Sequence, residues 1–121
     1  MGSSHKKGEN IMTVDKDSIN TAVSAFGPHA QQFATLTLAD ANRLFEELVQ
    51  ALDNDNAHEA GIAAHSLKSI MKQTGAMSLA DVTFTIEQAG KNNDLATCKQ
   101  ALPALQENFA SVKQHLETLT A

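Results

Sequence analysis

The last quarter of the chain carries an uninterrupted row of apolar residues at helical spacing, and this row most limits what the chain can fold into. Its members are three or four residues apart throughout: Leu95, Cys98, Leu102, Leu105, Phe109, Val112, Leu116 and Leu119. Residues with that spacing lie on one face of an α-helix. Asp94 is the expected N-cap. Pro103 removes one backbone hydrogen bond but does not change the phase of the row, so we expect one kinked helix and not two.

Three earlier segments carry apolar rows with the same helical spacing. The rows comprise Ala34, Leu38, Ala41, Phe45, Leu48 and Leu52; Ala60, Ala63, Leu67, Ile70 and Thr74; and Leu79, Val82, Ile86 and Ala89. Aromatic residues make up only 4% of the chain, and strand-favouring residues are scarce. The links at residues 53–56, 75–77 and 90–93 are short, and short links favour antiparallel neighbours. We therefore expect an all-α fold, an antiparallel up-down four-helix bundle.

Local signals indicate where the second and third long helices begin and end. The pairs Asn56–Glu59 and Ser78–Asp81 have the spacing of a capping box, in which a side chain at the helix start accepts a backbone hydrogen bond. Gly75 and Gly90 are the expected stops, because glycine readily adopts the left-handed conformation that closes a helix. These signals predict helices over residues 57–74 and 79–89.

The sequence allows two interpretations of where the first long helix begins. Pro28 in the first turn would start it early, whereas the capping-box spacing of residues 37–40 would start it near residue 38. Residues 33–38 also alternate like a strand, but six residues without a partner strand are not expected to form one. A short extra N-terminal helix is expected within residues 18–26. Residues 1–14 are expected to be an expression leader or a disordered tail, which leaves residues 15–121 for the bundle.

The bulk properties argue against several classes of protein. The formal net charge of −5 disfavours general nucleic-acid binding, which needs basic patches. Cys98 is the only cysteine, so no disulfide can form within the chain and a reducing compartment is expected. No apolar run is long enough to span a membrane, and the polar start lacks the apolar segment of a signal peptide.

The second long helix has one face that is not core. At 100° per residue, His65 points roughly 170° away from the centre of the apolar row. The same outward face holds His58, Gly61, Lys68, Ser69 and Lys72. A glycine inside a helix costs about 1 kcal/mol relative to alanine, so Gly61 either leaves space for an approaching protein or allows close helix packing. We expect His65 to stand exposed in mid-helix, between small residues and beside two lysines.

A zinc site on this helix is not expected. The pair His58-Glu59 begins like a zinc-binding helix motif, but that motif needs a second histidine at position 62, which is Ile62. His58 and His65 are two turns apart, too far to share one ion without further ligands. We therefore expect the chain's own residues to bind no metal.

An exposed imidazole suits phosphoryl transfer. Free histidine side chains are mostly neutral near pH 7, and the unprotonated nitrogen can attack phosphorus without a base to activate it. The phosphorylated product carries about two negative charges. Lys68 and Lys72 lie one and two turns further along the same face, so an ammonium group can offset that charge.

The run from Ala64 to Ala76 resembles the signature of histidine-containing phosphotransfer (HPt) domains. In that signature a histidine precedes Leu-Lys at the second and third following positions, then a small residue, with Gly-Ala about ten residues on. The matching residues are His65, Leu67, Lys68, Gly75 and Ala76. Ser69 stands where the family usually has glycine. The resemblance extends over residues 15–121, through the stretch at 86–89, the turn at 90–95 and the proline of the last helix.

The resemblance implies a phosphorelay intermediate in two-component signal transduction, which carries a phosphoryl group between aspartates of receiver domains and is not itself an enzyme. His65 would be the phosphoacceptor, and Lys68 would stabilise the phosphoryl group. Glu87 and Lys91 would face the His65 region; the alternative is that both are solvated surface charges. The alternative function is a helical interaction module that has the HPt fold but no phosphotransfer.

The resemblance also implies the partners. These are receiver domains of response regulators and a hybrid sensor histidine kinase, with Mg²⁺ supplied by the receiver and no cofactor held by this chain. The receiver would dock on Gly61, Ile62, Ser69 and Lys72, with Ile62 either a docking residue or the edge of the core. The chain would be a cytoplasmic monomer, or the cytoplasmic C-terminal domain of a membrane-bound hybrid kinase.

Overall fold

The computed structural model describes residues 15–120, which are helical apart from short turns. Helix α1 covers residues 15–24 and is followed by a 3₁₀ turn, Gly27–His29. The long helices are α2 (Ala30–Asp53), α3 (Ala57–Thr74), α4 (Met77–Lys91) and α5 (Leu95–Leu119). The predicted all-α class is confirmed. The predicted leader or tail, residues 1–14, lies outside the described residues. Every helix within residues 15–120 is too short or too polar to cross a membrane.

The four long helices enclose one apolar core. Helix α2 packs on α3, α3 on α4 and α4 on α5, and α5 returns to α2, while α3 and α5 barely touch. Large side chains that are fully buried come from every helix: Ile19, Leu48, Leu52, Leu67, Met71, Leu79, Ile86, Leu105 and Leu116. This closed order of contacts is what a four-helix bundle requires. The antiparallel up-down direction of the helices stays a prediction.

The start of α2 agrees with the earlier of the two interpretations. Pro28 lies in the 3₁₀ turn, and α2 begins directly after it at Ala30. The later start near residue 38 is wrong, because Thr37 is buried inside the helix instead of capping it. The predicted short helix within residues 18–26 is confirmed as α1, although it spans residues 15–24.

Three predicted helix ends are confirmed. The side chain of Asn56 accepts a hydrogen bond from the Glu59 backbone N–H (3.1 Å), and that of Asp94 accepts one from Thr97 (3.1 Å). Gly75 closes α3 in the left-handed conformation, with φ of +84°. Helix α5 runs unbroken past Pro103, as its continuous apolar row predicted, while the kink at that proline stays a prediction.

Both predicted ends of α4 are wrong. The helix begins at Met77, and Ala76 at its N-cap makes no side-chain capping bond. Instead, the backbone N–H of Ser78 donates to the buried carboxylate of Asp15 in α1 (3.0 Å). A residue distant in sequence thus provides the acceptor for a free N–H group in the first turn of α4. At the other end, α4 continues through Gly90 to Lys91.

Gly90 serves a close approach of α3 and α4 rather than a helix stop. A Cβ atom placed on Gly90 would lie 2.6 Å from the Cα of Gly61 and 2.6 Å from the carbonyl oxygen of Ala57. Real Cβ atoms do not come that close to backbone, so glycine is required there. The two helices therefore meet almost backbone to backbone, which brings a polar side chain of α4 within reach of His65.

Candidate functional site

His65 lies near the middle of α3, and 63% of its side-chain surface is exposed. The predicted outward orientation is therefore confirmed. Its neighbours Ala64 and Leu67 are fully buried, so they anchor the helix face opposite the imidazole. The face around His65 contains the exposed residues His58, Ile62, Ser69 and Lys72.

Gly61 differs from these exposed residues because it is buried against Gly90. This burial supports the helix-packing interpretation of Gly61 that the sequence left open. Gly61 also contributes to the wall of an open groove of about 330 Å³ beside the imidazole, whose lining residues are His58, Gly61, Ile62, His65, Ser66 and Lys91. A contact with a partner at Gly61 stays a prediction.

Glu87 of α4 is the buried partner of His65. Only 2% of its side-chain surface is exposed, and its Oε2 lies 2.9 Å from the Nδ1 of His65. Its Oε1 lies 2.6 Å from the Nζ of Lys68, with which it forms an ion pair. Lys91, one turn further along α4, places its Nζ 3.4 Å from Oε2. Glu87 and Lys91 thus face the His65 region as predicted, and the alternative of a solvated surface charge is wrong for Glu87.

The charge of Glu87 decides which imidazole nitrogen carries the hydrogen. Burial of the carboxyl acts to raise its pKa, but Lys68 and His65 together outweigh burial and hold the pKa of Glu87 at about 2. Near neutral pH this carboxylate is ionised and can only accept a hydrogen bond. The neutral imidazole therefore carries its hydrogen on Nδ1, and in this tautomer Nε2 is the nitrogen with the free electron pair.

The side chain of Lys68 is less exposed than the sequence alone indicated. Its side chain is only 15% exposed, because its ammonium group pairs with Glu87 and also lies over the ring of Phe84, 4.9 Å from the ring centre. An ammonium over an aromatic face is held by the charge distribution of the ring. A role for Lys68 in stabilising a phosphoryl group stays a prediction.

Two exposed apolar side chains flank this network. Ile62 is 51% exposed one turn before His65, which favours the docking interpretation over the edge of the core. Phe84 is similarly exposed on α4, one turn before Glu87. Phe84 was not among the residues predicted from the sequence, although its spacing of three from Glu87 places both residues on one side of α4.

Ser69 takes up little space at the position where HPt domains usually have glycine. Its hydroxyl donates to the backbone carbonyl of His65 one turn earlier (3.2 Å), so the side chain lies against its own helix. Its effect on the fit of a partner stays a prediction. Across residues 15–120, no three His, Cys, Asp or Glu side chains are grouped so as to hold a metal ion.

Acidification is expected to destabilise the fold through Glu87. Because the pKa of this carboxyl is about 2 and not 4.5, its charge contributes stability that is complete above about pH 4.5 and is lost as the pH falls toward 2. A pKa difference of this size corresponds to roughly 3 kcal/mol in the free energy of unfolding, more than half of it lost by about pH 3. Urea unfolding at about pH 6 and about pH 3 measures the loss. Glu87→Gln should lose less; equal losses in both proteins would contradict the assignment to Glu87.

Comparison with known proteins agrees with this geometry. The sequence matches the family model of the Hpt domain over residues 32–118, which include all of the network around His65. Neither curated proteins nor solved structures give a match to the chain. Hpt domains are phosphocarrier modules of two-component signalling rather than catalysts in their own right. With the match covering most of its length, the chain belongs to the Hpt domain family.

Proposed function

We propose that this chain is a phosphorelay intermediate that accepts a phosphoryl group on Nε2 of His65 from a receiver aspartate and passes it to another receiver. One observation carries the proposal. The imidazole is largely exposed, while the Oε2 of the buried Glu87 carboxylate lies 2.9 Å from its Nδ1 and accepts the hydrogen bond from that nitrogen. Nε2 is therefore a nucleophile with a defined tautomer that needs no further base.

The proposed transfer is an in-line displacement at phosphorus. Nε2 of His65 attacks the phosphoryl group of an aspartyl phosphate as the aspartate oxygen leaves, with the reacting atoms held in line by docking. The receiver contributes the acidic pocket and its Mg²⁺, and this chain contributes an imidazole that is already oriented. Lys91 lies at the exposed edge of the groove, and Lys68 lies deeper against Glu87. Both provide positive charge near the transferred group.

The proposed docking face surrounds His65. It comprises Gly61, Ile62, Ser69 and Lys72 of α3, to which the exposed ring of Phe84 in α4 is added. Apolar side chains at the centre of an interface with charges at the rim are the common arrangement of a transient protein contact. The face is presented by an antiparallel four-helix bundle, in which short links at residues 54–56, 75–76 and 92–94 reverse the chain.

The proposed partners are response-regulator receivers and a hybrid sensor histidine kinase. In this proposal the chain works as a monomer in the cytoplasm, either alone or as the C-terminal domain of such a kinase. The chemistry at His65 is the same in both cases, because the receiver approaches the same exposed face.

Phosphorylated receivers test the proposed function directly. A panel of receiver domains, each phosphorylated with acetyl phosphate in the presence of Mg²⁺, is mixed with the wild-type chain. We expect at least one receiver to transfer about one phosphoryl group per chain. The bound phosphate should be labile in acid and stable in alkali, and ¹⁵N NMR should locate it on Nε2. Transfer from no receiver, or phosphate found on Nδ1 or on a hydroxyl group, would contradict the proposal.

A further inference from the structure

We infer that Glu87 is the fixed counter-ion of the phosphorylated imidazole: its carboxylate keeps the Nδ1 hydrogen in place and so keeps phosphorylated His65 able to donate at mildly alkaline pH. The inference rests on the proposed function for its biological meaning. It extends that function because it gives Glu87 a part in donation as well as in the initial choice of tautomer. Glu87 acts through the imidazole and is a positioning residue.

The chemistry of the two transfers requires the same hydrogen. On acceptance, a P–Nε2 bond forms, the bond from phosphorus to the aspartate oxygen breaks, and the ring, which keeps its Nδ1 hydrogen, becomes positively charged. On donation, the next aspartate forms its O–P bond, the P–Nε2 bond breaks and the electron pair stays on Nε2. The leaving group is then a neutral imidazole. Without the Nδ1 hydrogen it would be an imidazolate anion, which leaves far less readily.

The geometry of Glu87 suits it to the charged form of the ring. Its Oε2 is 2.9 Å from Nδ1, and the carboxylate is almost entirely withdrawn from water. A hydrogen bond with an ionised partner is about twice as strong as one between neutral groups, and low exposure reduces the screening of the charge. A neutral amide in the same place would accept the hydrogen bond without supplying the charge.

Other charged groups around the ring do not remove this effect. Lys68 of α3 pairs with the far oxygen of Glu87, at 2.6 Å, and so helps to keep the carboxylate ionised and oriented. Lys91 of α4 is 3.4 Å from Oε2 but well exposed, so water screens its charge. His58 lines the same groove two turns away on α3. The carboxylate oxygen that faces Nδ1 lies within hydrogen-bond distance of it, at 2.9 Å.

Glu87→Gln tests the inference, since it keeps the shape and a hydrogen-bond acceptor but removes the charge. Donation from phosphorylated His65 to a receiver is measured in single turnovers against pH. In Glu87→Gln the decline of the donation rate at alkaline pH should move to lower pH by about one unit. At a given alkaline pH, donation should then be about tenfold slower than in the wild-type chain. The rates of the two proteins should be similar at lower pH. Glu117→Gln, which removes an exposed carboxylate of α5, should leave the profile in place. Coincident profiles for Glu87→Gln and wild type would overturn the inference.

A second measurement needs neither the receiver nor the Glu87→Gln variant. Phosphoramidate phosphorylates imidazoles directly, and the signal of phosphorylated His65 is identified by its absence from His65→Gln. A ¹⁵N NMR titration then gives the pH at which Nδ1 loses its hydrogen. In the wild-type chain this pH should lie above that of free Nε2-phosphohistidine. Equal values would overturn the inference even if receivers label the chain, whereas a higher value without any receiver labelling would leave the role of Glu87 standing and contradict only the relay.

Discussion

Replacing His65 with glutamine is expected to abolish labelling by every phosphorylated receiver that labels the wild-type chain. Glutamine has no nitrogen with a free electron pair that can attack phosphorus, so the loss should be complete and not a reduction in rate. The fold should survive, because the side chain is 63% exposed and the glutamine amide can donate to Glu87 in place of Nδ1. Phosphate incorporation measures the first effect, and urea unfolding measures the second.

His58→Gln is the matched control for this substitution. His58 is also an exposed histidine of α3, and it lines the same groove two turns before His65. It lacks the contact with Glu87, so its loss should leave one phosphoryl group per chain, with at most a modest change in rate. Labelling that persists in His65→Gln and disappears in His58→Gln would show that the phosphoacceptor has been assigned to the wrong histidine.

Of the two glycine substitutions at the contact of α3 and α4, Gly90→Ala is expected to have the larger effect on stability. The new Cβ would lie 2.6 Å from both the Cα of Gly61 and the carbonyl oxygen of Ala57, and backbone atoms cannot move aside as a flexible side chain can. Helices α3 and α4 must separate, at a cost of about 2 kcal/mol, even though alanine is the better helix former. Urea unfolding should show a lower midpoint. Donation at mildly alkaline pH should also slow, because separation of the helices moves Glu87 away from His65.

Gly61→Ala provides the comparison from the other side of the same contact. Its Cβ would lie 3.2 Å from the Cα of Gly90, so a shift of a few tenths of an ångström relieves the contact. The gain in helix propensity, about 1 kcal/mol, offsets much of the cost. We expect a clearly smaller loss of stability than for Gly90→Ala. Equal losses, or a more stable Gly90→Ala protein, would contradict the close approach of the two backbones.

Features that depend on local spacing were predictable from the sequence. The apolar row of α5 correctly gave a single helix through Pro103, because buried positions of a helix recur every three or four residues whatever it packs against. The exposure of His65 followed from the same geometry applied to α3. The caps at Asn56 and Asp94 were also predictable, since each involves a bond to a residue three positions away.

Features that depend on distant contacts were not predictable in this way. At the start of α4 a backbone N–H donates to Asp15, a residue of another helix. The prediction of a local cap at Ser78 was therefore wrong. Gly90 looked like a helix stop, because a glycine after an apolar row is typical of one. Its actual function depends on Gly61, which lies on α3. No periodic pattern in the sequence of either helix indicates that the two backbones are in contact.

The sequence by itself determined that this chain forms amphipathic helices and presents His65 on an outward face, since both follow from residue order along one helix. Only the tertiary structure decided what lies beneath His65. The contact of Gly61 with Gly90 brings α4 close enough for Glu87 to be buried against Nδ1. From the sequence alone, a charged residue such as Glu87 is expected on the surface. It is buried and still ionised because folding places His65 and Lys68 around its carboxylate.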